Sequence, residues 1–215
     1  MQKKLLILIL TVILYWVLKN YIPYGNMVLY PLTLLVTFFH ETGHAFFAVI
    51  TGGSVHGIQI NNDGSGYALI AGGISLLVIP GGYIGSALWG NLLLFVALHK
   101  DRYSKFVLYL ITFVLIFSAI VWFSSIGTSL LLFAFAALCY WLSRLNANVQ
   151  TNTLLVIGAI SLVYILMDFN GGPSSDLNKF TQLIPIFPSF IWALIWLAIV
   201  AYITYLNLKI IWRKK

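Results

Sequence analysis

Acidic residues are almost absent from this chain. Among 215 residues there is one glutamate, Glu41, and there are four aspartates, Asp63, Asp101, Asp168 and Asp176. Charged residues of both signs make up 8% of the chain, against about 25% in an average soluble domain. Hydrophobic residues make up 61%. That leaves too little polar surface to cover a water-facing exterior, so a soluble globular fold is excluded. The single cysteine, Cys139, excludes a disulfide framework and any cysteine-built metal site within one chain. It lies in an apolar segment and reads as a small packing residue. Low-complexity stretches and internal repeats are missing too. The net charge of +7 forms no basic stripe interleaved with aromatics, which argues against nucleic acid as a partner. Instead Lys3, Lys4, Lys100, Arg102, Lys105, Arg213, Lys214 and Lys215 sit at the ends of apolar segments. There they anchor helices against membrane lipid.

What the chain has in quantity is long apolar runs. Seven segments, at about 5–22, 29–51, 74–98, 106–123, 126–142, 153–168 and 188–211, approach or exceed the length that crosses a bilayer. Lys3-Lys4 before Leu5–Leu18 is similar to the start of a signal peptide, but no small-residue cleavage site follows. We read it as an uncleaved first crossing. Ser124-Ser125-Ile126-Gly127 divides an apolar run too long for one helix. The expected fold is an all-α polytopic membrane protein of about six to seven transmembrane helices. It forms a single integral-membrane domain over residues 1–215 and sits as a multi-pass protein in a cell membrane.

Two stretches break the helical pattern. Gly52-Gly53 can end the second segment. Val55–Ile60 and Tyr67–Ile70 then flank Asn61-Asn62-Asp63-Gly64-Ser65-Gly66, which predicts a short membrane-associated β-hairpin. The second break, 170–188, begins with Gly171-Gly172-Pro173 and Ser174-Ser175-Asp176 and reads as a loop with a short helix. Between the breaks, Gly81, Gly82, Gly85, Ser86 and Gly90 form small-residue rows that let membrane helices approach closely. Pro80-Gly81-Gly82 is also a point where that helix can kink or unwind beside a cavity.

The only glutamate falls inside the second apolar run, as His40-Glu41-Thr42-Gly43-His44. One charged residue at a membrane helix centre costs about 2.5–3.5 kcal/mol on insertion scales, so this cluster needs a functional reason. It is an HExxH pattern. Residues four apart share one face of a helix, so His40 and His44 can offer imidazoles to one metal ion, with Glu41 beside them as a proton acceptor. Neutral imidazole and carboxylate around an open tetrahedral position suit one Zn²⁺ per chain. A catalytic zinc site takes a third protein ligand. Asp101 sits among Lys and Arg, Asp63 at the hairpin turn, and His99 at a helix end; these read as solvated or interfacial. His56 is close in sequence but on the hairpin. Asp168 ends an apolar segment and Asp176 follows a turn, so either can reach a buried metal; Asp176 could equally be a helix cap.

The motif with Ala45-Phe46 and Gly52-Gly53 resembles the site-2 protease family of zinc intramembrane metalloproteases, closest to a small, membrane-embedded bacterial branch. The resemblance continues through the Gly-rich hairpin, Gly82-Tyr83-Ile84-Gly85-Ser86-Ala87-Leu88-Trp89-Gly90, and Ser175-Asp176, and spans roughly residues 38 to 195. It implies a zinc endopeptidase acting on transmembrane protein substrates in a bacterial cell membrane, with His40, His44 and Asp176 as metal ligands and Glu41 as the catalytic base. One departure stands out. Well-known members carry Asp-Gly in a late transmembrane helix, whereas the only Asp-Gly here is Asp63-Gly64 in the hairpin.

Two other classes fit part of the pattern. A metal or proton transporter would use the same His/Glu/Asp cluster, but such folds show repeated halves, which are missing. An inactive relative that only binds membrane partners would not need Glu41. An extended substrate could pair with a free edge of the hairpin; a proline in Val55–Ile60 is then expected to reduce cleavage. Oligomeric state, substrate identity and regulatory trigger leave no mark in the residues.

Overall fold

The protein is described by a computed structural model covering residues 2–167 and 175–212. Asp168, the Gly171-Gly172-Pro173 turn and the last three basic residues lie outside them. Within the described residues the chain forms eight helices: α1 Gln2–Asn20, α2 Gly25–Ile50, α3 Ser75–His99, α4 Ser104–Val121, α5 Ile126–Ser143, α6 Ala147–Met167, α7 Asp176–Leu183 and α8 Ser189–Trp212. Two strands, β1 Ser54–Ile60 and β2 Gly66–Ala71, lie between α2 and α3. Helices α2, α3, α4, α5, α6 and α8 are long and apolar enough to cross a membrane. The expected seventh, α1, forms a helix but is not among those six; it carries Lys3, Lys4 and Lys19. Its Leu5, Leu6, Ile9, Leu10, Ile13 and Leu14 are exposed, as they would be against lipid.

Helix α3 is the centre of the bundle, packed along α2 on one side and α6 on another, with α8 added outside. Close packing follows from the small residues. A Cβ on Gly85 would fall on the Cα of Gly43, so α2 and α3 meet backbone to backbone there. Gly90 meets Gly158 and Leu162 of α6 in the same way. Phe38 and Phe39 are fully buried, and Phe39 stacks on Trp89 of α3 with centroids 5.0 Å apart. Removing a buried Phe of this kind costs about 3–5 kcal/mol. Pro80 does not unwind α3, which runs unbroken from Ser75 to His99.

Helix α8 is largely exposed and is joined to α3 by polar contacts. The Asn91 amide donates to Thr204 Oγ1 at 3.1 Å, and the Asn207 amide donates to the Asn91 carbonyl oxygen at 2.9 Å. Between apolar helices such bonds are worth about 0.6 kcal/mol or more each. Ser125 caps α5, its hydroxyl accepting from the Thr128 N–H, and so confirms the break expected between α4 and α5.

The hairpin forms where it was expected, with α2 stopping at Ile50 and Gly52 at φ +84° just beyond. β1 and β2 pair antiparallel from Ser54↔Ala71 to Ile60↔Gly66, with one irregularity between Val55 and Gly57. The tip reaches back along α2: Thr37 Oγ1 donates to the Gly64 carbonyl at 2.7 Å and Tyr30 Oη to that of Asn62 at 2.8 Å. The hairpin is thereby laid against the helix that carries the His-Glu-His motif.

Candidate metal centre

His40 and His44, one turn apart on α2, turn their Nε2 atoms toward each other at 3.1 Å. Asp176 brings one oxygen to both: its Oδ2 lies 3.1 Å from His40 Nε2 and 3.0 Å from His44 Nε2. The three ligand atoms form a triangle, and ligands about 2.0–2.1 Å from a tetrahedral zinc ion would stand about 3.3 Å apart. The sequence left Asp168 and Asp176 open. The structure brings Asp176 to the histidines, and Asp168 lies outside the described residues.

Each side chain has a reason to point where it does. His44 Nδ1 is 2.7 Å from the Val78 carbonyl oxygen of α3. A carbonyl only accepts, so Nδ1 carries the proton and a neutral His44 presents a lone pair at Nε2. That lone pair faces a carboxylate oxygen, which is repulsive unless a cation or a proton lies between them. His40 is braced by the Tyr83 ring, edge to face at 4.9 Å. Asp176 occupies the first turn of α7, and Ser175 caps that helix by accepting from the Asn178 N–H at 3.2 Å.

Gly82 keeps the space open. A Cβ added there would overlap the Nε2 atoms of both His40 and His44. In sequence Gly82 reads as one member of a helix-packing row, and its neighbours Gly81 and Gly85 do pack on Phe47 and Gly43 of α2. Only the three-dimensional register separates the glycine that faces the imidazoles from those that face the helix. Three converging donors, one tautomer fixed by Val78 and a glycine floor fit a metal ion, and their chemistry suits zinc.

Glu41 is buried beside this group, and both open onto a cavity of about 320 Å³. Gly64, Gly66, Ala68 and Ile70 of the hairpin form one wall; Tyr83 and Tyr164 contribute to the rest. Glu41 lies close enough to β2 that a Cβ on Gly66 would approach its Cγ at 3.1 Å.

The hairpin edges differ, and the free one is not the one expected. β1 is already taken. The Ile58 N–H donates to the Trp122 carbonyl at 3.0 Å, the Ile60 N–H to Thr128 Oγ1 at 3.2 Å, and Ser124 Oγ donates to the Ile58 carbonyl at 2.5 Å. Because Ile58 and Ile60 point their polar groups away from β2, their partners Ala68 and Gly66 point theirs away from β1. Among the described residues nothing bonds the outer edge of β2, which faces the cavity. A proline in Val55–Ile60 would disturb the attachment to α4 and α5 instead.

The remaining candidates are placed elsewhere. His56 sits in the β1 irregularity with Nε2 3.1 Å from Ser54 Oγ. Asp63 serves the hairpin turn: the Ser65 hydroxyl and N–H donate to it and hold its carboxyl below the usual range. Asp101 is likewise lowered by Lys4, 3.0 Å away at a bundle end. His99 ends α3 against the Phe95 ring. Lys179, which the sequence reading passed over, lies at the cavity 3.3 Å from Asp176 Oδ1.

The chain matches no curated protein and no solved structure. One family does match: Peptidase M50B-like, over residues 6–207. Its match takes in the motif helix, the hairpin, Gly82 and Asp176 together. A multi-pass membrane protein with a His40/His44/Asp176 group that can hold a metal, this chain belongs to the Peptidase M50B-like family, related to the site-2 proteases.

Proposed function

We propose that the chain is a zinc-dependent intramembrane endopeptidase that hydrolyses peptide bonds in or near transmembrane segments of other membrane proteins. The observation that carries this is the convergence of His40 Nε2, His44 Nε2 and Asp176 Oδ2 beside a buried Glu41, at a cavity bordered by membrane-crossing helices. His40, His44 and Asp176 would hold the zinc. Bound there, zinc supplies Lewis acidity toward a water and toward a peptide carbonyl.

The chain's own residues do the rest. Val78 keeps the His44 proton on Nδ1, so Nε2 stays a lone-pair donor. Glu41 accepts a proton from water as its oxygen bonds to the substrate carbonyl carbon. It then passes that proton to the amide nitrogen as the carbon–nitrogen bond breaks. The products are a carboxylic acid and an amine, and Glu41 ends as it began. The cavity admits the water that the bilayer core excludes.

A helical substrate hides its carbonyls in its own hydrogen bonds and must unwind before attack. The free β2 edge offers replacement partners at Gly66 and Ala68, beside Glu41. A substrate segment extended along β2 lays its backbone across the cavity within reach of the site.

The test is the purified full chain, assayed for zinc and for cleavage of a membrane-protein substrate, against Glu41→Gln. Cleavage should fall about 10²–10⁴-fold with zinc retained. Full cleavage by Glu41→Gln would falsify the mechanism. Ion flux across vesicles without any proteolysis would point to a transporter instead.

A further inference from the structure

We infer that Lys179 is a positioning residue for the metal centre, holding the outer oxygen of Asp176 so that only the inner one faces the histidines. The two oxygens of this carboxylate have separate neighbours. Oδ2 lies 3.1 and 3.0 Å from the two imidazole nitrogens, and Oδ1 lies 3.3 Å from Lys179 Nζ. Asp176 opens α7 and Lys179 follows three residues later, so both project from one face of that helix. A free carboxylate can rotate about its last bond and offer one oxygen or both. A cation bonded to Oδ1 removes that freedom and leaves Oδ2 as the single inward ligand atom.

The exposures separate this role from a structural one. The Asp176 side chain is 15% exposed and that of Lys179 is 57%. A pair three residues apart on a helix whose cation is solvent-exposed contributes little to stability. Its effect falls on the orientation of the buried carboxylate, where outer partners of metal ligands typically matter 10- to 100-fold in affinity. Ser175 already caps α7, so the helix does not depend on Lys179 for its start.

The inference rests on the zinc reading above, and its test keeps the two apart. The full-length protein in detergent is titrated with zinc against a competing chelator, as wild type, Lys179→Met and Lys179→Arg. Lys179→Met keeps the aliphatic stem and loses the charge. It should bind zinc about 10-fold more weakly, with unchanged thermal unfolding of the metal-free protein. Lys179→Arg should restore most of the affinity, because guanidinium also bonds a carboxylate oxygen. Cobalt in place of zinc should show an altered absorption spectrum in Lys179→Met only. Wild-type zinc affinity and an unchanged cobalt spectrum in Lys179→Met would overturn the inference. If KM for substrate then rose alone, Lys179 would be a substrate contact. A wild-type chain that binds no zinc would overturn the metal site itself and this inference with it.

Discussion

Two of the three side chains that could hold a metal ride on α2, a helix of 26 residues, and the third on α7, a helix of 8. The two sides of the site are held in different ways. α2 is locked to α3 by contact between Gly43 and Gly85, by the stacked Phe39 and Trp89 rings, and by the bond from His44 to Val78. α7 is held by its Ser175 cap and by Leu177 and Phe180, which pack with Tyr83 and Trp196. The first side is set by backbone approach, which yields little; the second by a few side chains on one short helix. A metal held by all three would be a clasp between α7 and α2. Bound zinc should steady α7 far more than it steadies α2.

The largest effect is expected on the rigid side. Gly82→Ala sets a methyl group on both imidazole nitrogens, and with α2 and α3 in backbone contact at Gly43 and Gly85 the imidazoles themselves must swing aside. Zinc content of the folded, purified protein should fall to background and cleavage with it. Wild-type zinc in Gly82→Ala would mean that the two sides yield alike, and the comparison would fail. Next comes the α7 side. Asp176→Ala should weaken zinc on the order of 100-fold while His40 and His44 keep a residual site. Asp168→Ala should leave zinc unchanged; metal loss in that variant alone would move the third ligand off α7.

A smaller effect tests the hairpin, where β1 is bonded to α4 and α5 and β2 is open. Ala68→Pro removes an outward N–H but no ladder bond, since Ala68 faces away from β1. Cleavage should drop about 3- to 10-fold, the worth of one hydrogen bond, with zinc unchanged. Leu69→Pro, which removes a bond to β1, serves as the contrast and should unsettle the hairpin itself. Equal, wild-type cleavage in a folded Ala68→Pro protein would remove β2 from the mechanism.

Much of this was readable in the residues, because much of it is local. The apolar runs, the Gly52 stop, the Asn/Asp/Gly turn and the Ser124–Ser125 break each rest on a few neighbouring positions. So does the four-residue spacing of His40 and His44. What escaped is non-local. Which strand keeps a free edge depends on Trp122, Ser124 and Thr128, more than 60 positions away. Gly82 is one small residue among several until α2 lies over it. Pro80-Gly81-Gly82 reads as a breaking point, yet α3 stays helical, packed tightly between α2 and α6. Asp176 was named through the family resemblance; the residues alone left it level with Asp168. Lys179 has no motif at all, and only its distance to Asp176 singles it out.

The β2 edge left open among the described residues also carries a rule about spacing. Gly66, Ala68 and Ile70 offer their outward groups at every second residue, so a substrate segment seated there, as proposed, would slide in steps of two. A shift of one would turn its side chains over and misplace its carbonyls. Secondary products from one substrate, resolved by mass, would then differ by pairs of residues, like the teeth of a comb set at double pitch.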